Sequence, residues 1–134
     1  ESGDKFYFFN THFDHQGDEA RKNSARLIIQ KIKEINAKHY PILLTGDFNL
    51  EPDTEAIQYI KSYLDDSKDA SAEIKLGPSG TFNGYDFSRP VTRRIDYVFH
   101  SKDVKIKTYA VLSDNEEGRY ASDHLPVFVK FILN

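Results

Sequence analysis

The stretch that most constrains this chain is Ile42 to Asn49, where the apolar run Ile42-Leu43-Leu44 gives way to Thr45-Gly46-Asp47-Phe48-Asn49. A short apolar run bounded by Pro41 and Gly46 suits a central strand. Upstream, Asp18 to His39 carries Ala25, Ile28, Ile32, Ile35 and His39 at steps of three and four, with Leu27 and Ile29 widening the stripe, which is the period of a helix. Asp18 and Glu19 at its start suit the helix dipole. Further upstream, Lys5 to Phe13 reads as a strand with Phe6, Phe8, Asn10 and His12 on one face and Tyr7, Phe9, Thr11 and Phe13 on the other. Both faces are mostly apolar, so its expected place is interior. Strand, long helix, strand is a β-α-β unit, right-handed by default. The chain is thereby confined to the α/β class.

The strand at Ile42 ends in chemistry. Gly46 permits a sharp turn, and Asp47 and Asn49 point the same way if the backbone stays extended, bringing an acceptor and a donor to one spot. That pair could hold a water beside an anionic oxygen. The competing reading is an Asx turn capping the next helix.

The rest of the chain supplies further elements. Glu1 to Lys5 is turn material. Pro52 and Asp53-Thr54 open a shorter helix with Ile57, Ile60 and Leu64 on its apolar side. Asp65 to Gly80 is polar and irregular, with no element assigned. Thr81 to Tyr85 and Phe87 to Pro90 form a loop of exposed aromatics beside Arg89, Arg93 and Arg94. These rings either meet a substrate or fold onto the local core. Arg94 to His100 is a strand in which Asp96 shares a face with Val98, a costly position unless the carboxylate is paired. Val104 to Leu112 is a strand, Ser113 to Tyr120 a charged loop, and Val127 to Leu133 an interior strand.

Composition narrows the function. At 134 residues the chain fits one domain, and 39% hydrophobic with 13% aromatic residues supports a packed core. A net charge of −3 argues against nucleic-acid binding by bulk electrostatics. Without cysteine there are no disulfides and no thiolate zinc sites. No run has the length of a membrane span. The basic face of the long helix, Arg21, Lys22, Arg26, Lys31, Lys33 and Lys38, reads as solvated rather than as a phosphate-backbone surface. Methionine is absent altogether, so the chain is expected to be part of something longer.

The unusual polar residues stand where strands stop: His12, the Asp47/Asn49 pair, Asp96, and adjacent Asp123 and His124. Asp96 is the natural partner for His124, because a buried carboxylate fixes an imidazole's tautomer and stabilises its charged form. Asp123 offers a hard oxygen ligand suited to Mg²⁺ or Mn²⁺. Taken singly, each has a structural reading too: a hydrogen-bonded His12, an Asx turn at Asp47. Together they are the parts that cleavage of a phosphate ester requires.

Asn10-Thr11-His12, Gly46-Asp47-Phe48-Asn49, Arg94-Ile95-Asp96-Tyr97 and Ser122-Asp123-His124-Leu125-Pro126, in this order, resemble the last four motifs of the endonuclease/exonuclease/phosphatase superfamily, the group of deoxyribonuclease I. The resemblance implies half of a four-layered α/β sandwich, with a mixed β-sheet and helices on one face. It also implies metal-dependent phosphoester hydrolysis. On matching positions, Asp47 would orient or deprotonate water, Asn49 would hydrogen-bond the scissile phosphate, and His12 would donate to a phosphate oxygen with support from Asn10. Asp123 would bind Mg²⁺ or Mn²⁺, and His124, oriented by Asp96, would act as base or stabilise the transition state.

The resemblance also implies a departure. Family members begin with a half carrying an early Asn and a metal-binding Glu, and nothing here corresponds to it. The single domain 1–134 is therefore expected to be the C-terminal portion of such a fold, weak in metal affinity and activity by itself. Its uncovered sheet face is expected to self-associate. Expected substrates are nucleic acids, nucleotides, sugar phosphates or phospholipid head groups, with long duplex DNA disfavoured by the charge. A non-catalytic binding or assembly module that retains the fold is the alternative, although it would have no need to keep paired buried charges.

Overall fold

The computed structural model describes residues 3–72 and 74–133, so Glu1 and Ser2 of the expected N-terminal turn and Glu73 of the irregular stretch lie outside it, as does Asn134. Strand β1 (Tyr7–His12), helix α1 (Asp18–Ile35) and strand β2 (Ile42–Asp47) make the β-α-β unit, with β1 and β2 parallel. Helix α2 (Glu55–Lys61), strand β3 (Asp65–Asp66), helix α3 (Ser67–Ala70) and strands β4 (Ile74–Leu76), β5 (Asp96–His100), β6 (Val104–Val111) and β7 (Val127–Leu133) follow. The strands form two sheets, ordered β1-β2-β5-β3 and β4-β6-β7.

Alternation along β2 and β5 sorts the core. Ile42, Leu44, Tyr97 and Phe99 face α1 and α2, meeting Ala25, Ile29 and Ile32 from one helix and Ala56, Ile57 and Ile60 from the other. Leu43 and Val98 point the opposite way, onto Val104 and Ile106 of β6 and the inner side of β7. The mixed sheet thus has helices on one face, as expected, and a second sheet on the other. Phe48, the residue after β2, seals the first core: it is fully buried and makes edge contacts with Phe13, Tyr97 and Phe99 at centroid distances of 4.9, 5.5 and 5.3 Å. Burying a ring of this kind stabilises by about 1.5–3 kcal/mol.

Several expectations need correction. The long helix stops at Ile35, because the Asn36 side chain accepts from the Tyr40 amide and donates to the Tyr40 carbonyl, folding the chain back toward β2. His39 is thus in the connection, while Leu27 and Ile35 are exposed. Strands β1 and β7 are edge strands rather than interior ones, with Phe8 60% and Phe128 47% exposed. Gly46 does not turn the chain. It pairs with Thr11 inside the sheet at φ 154°, where a Cβ would stand 1.9 Å from the Thr11 carbonyl oxygen, so its role is to let β1 approach.

Arg94 belongs to the core. Its guanidinium lies 2.5 Å from the Asp66 carboxylate, with side-chain exposures of 6% and 1%, and packs 4.4 Å over the Tyr97 ring. Asp66 also accepts from the Lys68 amide, capping α3. The stretch left unassigned from Asp65 to Gly80 is therefore anchored to β5 by a buried ion pair.

Candidate active site

Sheet register assembles the site. The end of β1 pairs with the end of β2, His12 opposite Asp47, and β2 pairs antiparallel with the start of β5, Asp47 opposite Asp96. Three chemically active residues from distant parts of the chain therefore stand in one row across the sheet. His124, from the loop before β7, closes the group. Asp47, Asp96 and His124 each place one ligating atom within 4.8 Å of the others.

Asp47 is the hub. One carboxylate oxygen accepts from the Asn49 amide at 2.8 Å, while the other lies 3.3 Å from His12 Nε2 and 3.8 Å from His124 Nε2. The Asx turn is therefore present, but it does not cap a helix, since α2 begins later with Thr54 at its N-cap. Nor is the backbone extended. Asn49 sits at φ 51°, and its side-chain amide donates to the Phe13 carbonyl at 3.0 Å and toward Asp47 at 3.3 Å. The strand end, the loop after β1 and the Asp47 carboxylate are held together by this one amide.

Asp96 and His124 form the expected pair, with His124 Nδ1 2.9 Å from Asp96 Oδ2. Because the carboxylate accepts, Nδ1 carries the proton and Nε2 is left facing Asp47. A residue that sequence reasoning missed completes the arrangement. Thr81 is fully buried, donates its hydroxyl to Asp96 at 2.6 Å and accepts from the Ile95 and Asp96 amides at 3.1 Å. A single threonine in an irregular loop gives no periodic signal, and only the fold shows its partner. Phe82 packs edge-on against the His124 ring, with centroids 4.8 Å apart. Burial pushes the Asp96 carboxyl above the usual carboxylate range, opposed by the Thr81 hydroxyl and by His124.

Two expected site residues stand apart. Asn10 is exposed on the same face of β1 as His12, and its side-chain oxygen accepts from the Thr45 hydroxyl at 2.9 Å. Asp123 lies outside the clustered group: its carboxylate is 3.4 Å from the Ser122 hydroxyl, while its carbonyl accepts from the Asn83 amide. The loop sends successive side chains in different directions, and it is His124 that turns inward.

Residues 3–124 match the family model described as the Endonuclease/Exonuclease/phosphatase family. The chain belongs to this family. The endonuclease/exonuclease/phosphatase fold is equally plain among solved structures. The mannosyl-6-phosphatase of Bacteroides thetaiotaomicron VPI-5482 is similar over 98% of this chain, at 37% identity and a TM-score of 0.90, with 53% of its own length covered. A family protein from the same species aligns over 100% of the chain at 36% identity and a TM-score of 0.92, again with 53% covered. The human Nocturnin catalytic domain with bound sulfate aligns over 100% at 26% identity and a TM-score of 0.75, with 49% covered. The chain thus spans about half the length of the structures it matches. No curated protein matches it significantly.

Enzymes of this family are hydrolytic and generally depend on divalent metals. The donor chemistry here fits such an ion: two carboxylates and an imidazole converge, and hard oxygen donors suit Mg²⁺ or Mn²⁺. Among the described residues no helix is long and apolar enough to cross a membrane.

Proposed function

We propose that this chain is the C-terminal portion of a metal-assisted phosphoester hydrolase, whose remaining half completes the sandwich and supplies further metal ligands. The observation that carries the reading is the register row His12–Asp47–Asp96, closed by His124. A divalent ion at the group formed by Asp47, Asp96 and His124, reached by Asp123 through water and by ligands from the missing half, would neutralise charge on the phosphate oxygens.

The side chains have separable tasks. The Asp47 oxygen between the two imidazoles accepts a hydrogen bond from water and directs it at phosphorus. His12, with its side chain 73% exposed, donates from Nε2 to a non-bridging phosphate oxygen. Asn49 exchanges its longer bond to Asp47 for the same phosphate. His124, its tautomer fixed by Asp96 and Thr81, presents Nε2 to the phosphate and handles the proton there. Water adds to phosphorus as the ester P–O bond breaks, and the alcohol leaves with a proton. Among phosphate esters, the net charge of −3 and the likeness to a mannosyl-6-phosphatase favour a sugar phosphate over a nucleic-acid backbone.

The test is hydrolysis of p-nitrophenyl phosphate and bis-p-nitrophenyl phosphate with Mg²⁺ or Mn²⁺, by the chain alone and with its upstream half restored. Substantial turnover is expected only in the restored protein, and Asp47→Ala should lower its kcat by about 10²–10⁴-fold. A restored protein inert on both esters, or an Asp47→Ala variant with unchanged kcat, would refute the proposal.

A further inference from the structure

Arg21 departs from the solvated face expected for the outer side of α1. Arg26, Lys31, Lys33 and Lys38 are exposed, and Lys22 pairs with the exposed Glu55. The Arg21 side chain is only 11% exposed, and its Nε is buried without a partner among the described residues. The position is costly on two counts. A largely buried cation gives up hydration, and a positive charge in the first turn of a helix opposes the helix dipole. Asp18 pairs with the guanidinium and offsets part of that cost, but its own side chain is 83% exposed, so water screens the pair. Other contacts hold Arg21 inward.

The guanidinium bridges two loops. Its Nη1 donates to the His15 carbonyl at 3.0 Å, in the loop after β1, and reaches the Asn49 carbonyl at 3.5 Å, in the turn after β2. The first loop starts from His12 and carries Phe13, whose carbonyl accepts from the Asn49 side chain. The second carries Asn49 itself. Of the site residues, Asn49 has the backbone most in need of support, because φ 51° is a conformation that only glycine adopts freely. Its amide is held by Asp47, its side chain by Phe13 and Asp47, and the next carbonyl, that of Leu50, by the Tyr97 hydroxyl at 2.8 Å. Arg21 supplies the contact to the remaining polar group of Asn49, its own carbonyl.

We propose that Arg21 is a positioning residue for the reaction: it fixes the Asn49 backbone against the loop after β1, so that the Asn49 side-chain amide is already aimed when it exchanges Asp47 for the phosphate. This rests on the hydrolase reading above. Once Asn49 Nδ2 releases Asp47, the side chain keeps one of its two anchors, and the backbone contacts decide whether the amide stays in place. Arginine suits the task, since its planar fork of donors serves the Asp18 carboxylate and the His15 and Asn49 carbonyls together. Lysine, a point charge on a flexible stem, has no such fork. A misplacement of about 1 Å at a reacting centre costs on the order of 10²-fold in rate.

The experiment uses the protein with its upstream half restored, in Mg²⁺, with p-nitrophenyl phosphate as the probe. Arg21→Met is expected to lower kcat by about 10–100-fold with KM within about twofold. Arg21→Lys should lower kcat nearly as far, and Arg26→Met, on the exposed face, should leave it unchanged. Asn49→Gly removes the side-chain amide yet accepts the left-handed backbone. Because Arg21 acts through Asn49, the double variant Arg21→Met/Asn49→Gly should be no slower than Asn49→Gly alone. Nitrogen-15 relaxation at the Asn49 and His15 amides reads the clamp independently of turnover: order parameters should fall below about 0.6 in Arg21→Met while Leu44 stays near about 0.85. The assignment is overturned by full kcat in Arg21→Met, by losses that multiply in the double variant, by an Asn49 that stays rigid, or by a raised KM at unchanged kcat, which would make Arg21 a direct phosphate ligand. If Arg21→Met does not fold, Arg21→Lys carries the same comparisons. Should the parent lack turnover while Arg21→Met still frees Asn49, the hydrolase reading fails and the clamp stands.

Discussion

Asp96 sits in an environment that its partners only partly compensate. Burial raises its pKa, and the hydrogen bonds from Thr81 and His124 reduce that rise without cancelling it. A carboxyl whose folded pKa lies above its unfolded one binds its proton more tightly in the folded chain. Stability is therefore lost as pH rises from the unfolded carboxylate range through the folded value. Asp96→Asn removes this titration while keeping an acceptor for His124. In metal-free buffer, the Tm of the variant relative to the parent chain should increase between about pH 4 and pH 7. A Tm difference that stays flat or moves the other way would show that Asp96 carries no such cost. At this scale the polar residues at strand ends are legible, because apolar runs that stop at His12 and Asp47 or start at Asp96 need only the alternation of a strand to be noticed. Thr81 is not, since its hydroxyl matters only through a contact made across 15 positions of sequence. Gly46 was misread for a related reason: the clash that demands glycine comes from Thr11 on the neighbouring strand.

Among the elements, β5 is the one on which others are hung. It carries Asp96, pairs with β2 on one side and with β3 on the other, and is preceded by Arg94, whose pair with Asp66 locks β3 and α3 in place. Removing one member of a buried pair leaves an uncompensated charge, which costs about 3–5 kcal/mol. Asp66→Ala should therefore lower the urea midpoint by a corresponding amount, and a loss below about 1 kcal/mol would show the pair to be marginal. Helices α1 and α2 and strand β2 could be read from periodicity because each repeats its pattern over at least a full turn or strand. By contrast, β3, α3 and β4 are too short to carry a period. Arg94 looked like a loop cation because its partner lies 28 residues away. The edge positions of β1 and β7 were also hidden, for an aromatic strand reads as interior whether or not the element that covers it belongs to the same chain.

At the scale of the whole molecule, those uncovered strands and the residue that leads into β1 leave Phe6, Phe8, Phe128 and Ile132 each more than 40% exposed. Apolar surface of this kind rarely stays bare in solution. We expect the isolated chain to self-associate, with a weight-average mass that rises with concentration in sedimentation equilibrium, and Phe8→Asp to shift it toward monomer. A mass fixed at 15.5 kDa across the concentration range would exclude this. Restoring the other half should suppress the association and complete the site together, because the same strands border both. Attack of water on phosphorus beside Asp47 is read out by hydrolysis of mannose 6-phosphate by the restored protein in oxygen-18-labelled water with Mg²⁺. One labelled oxygen is expected in the released phosphate and none in the sugar, with turnover lost in Asp47→Ala. Label appearing in the sugar, or no phosphate released at all, would contradict it.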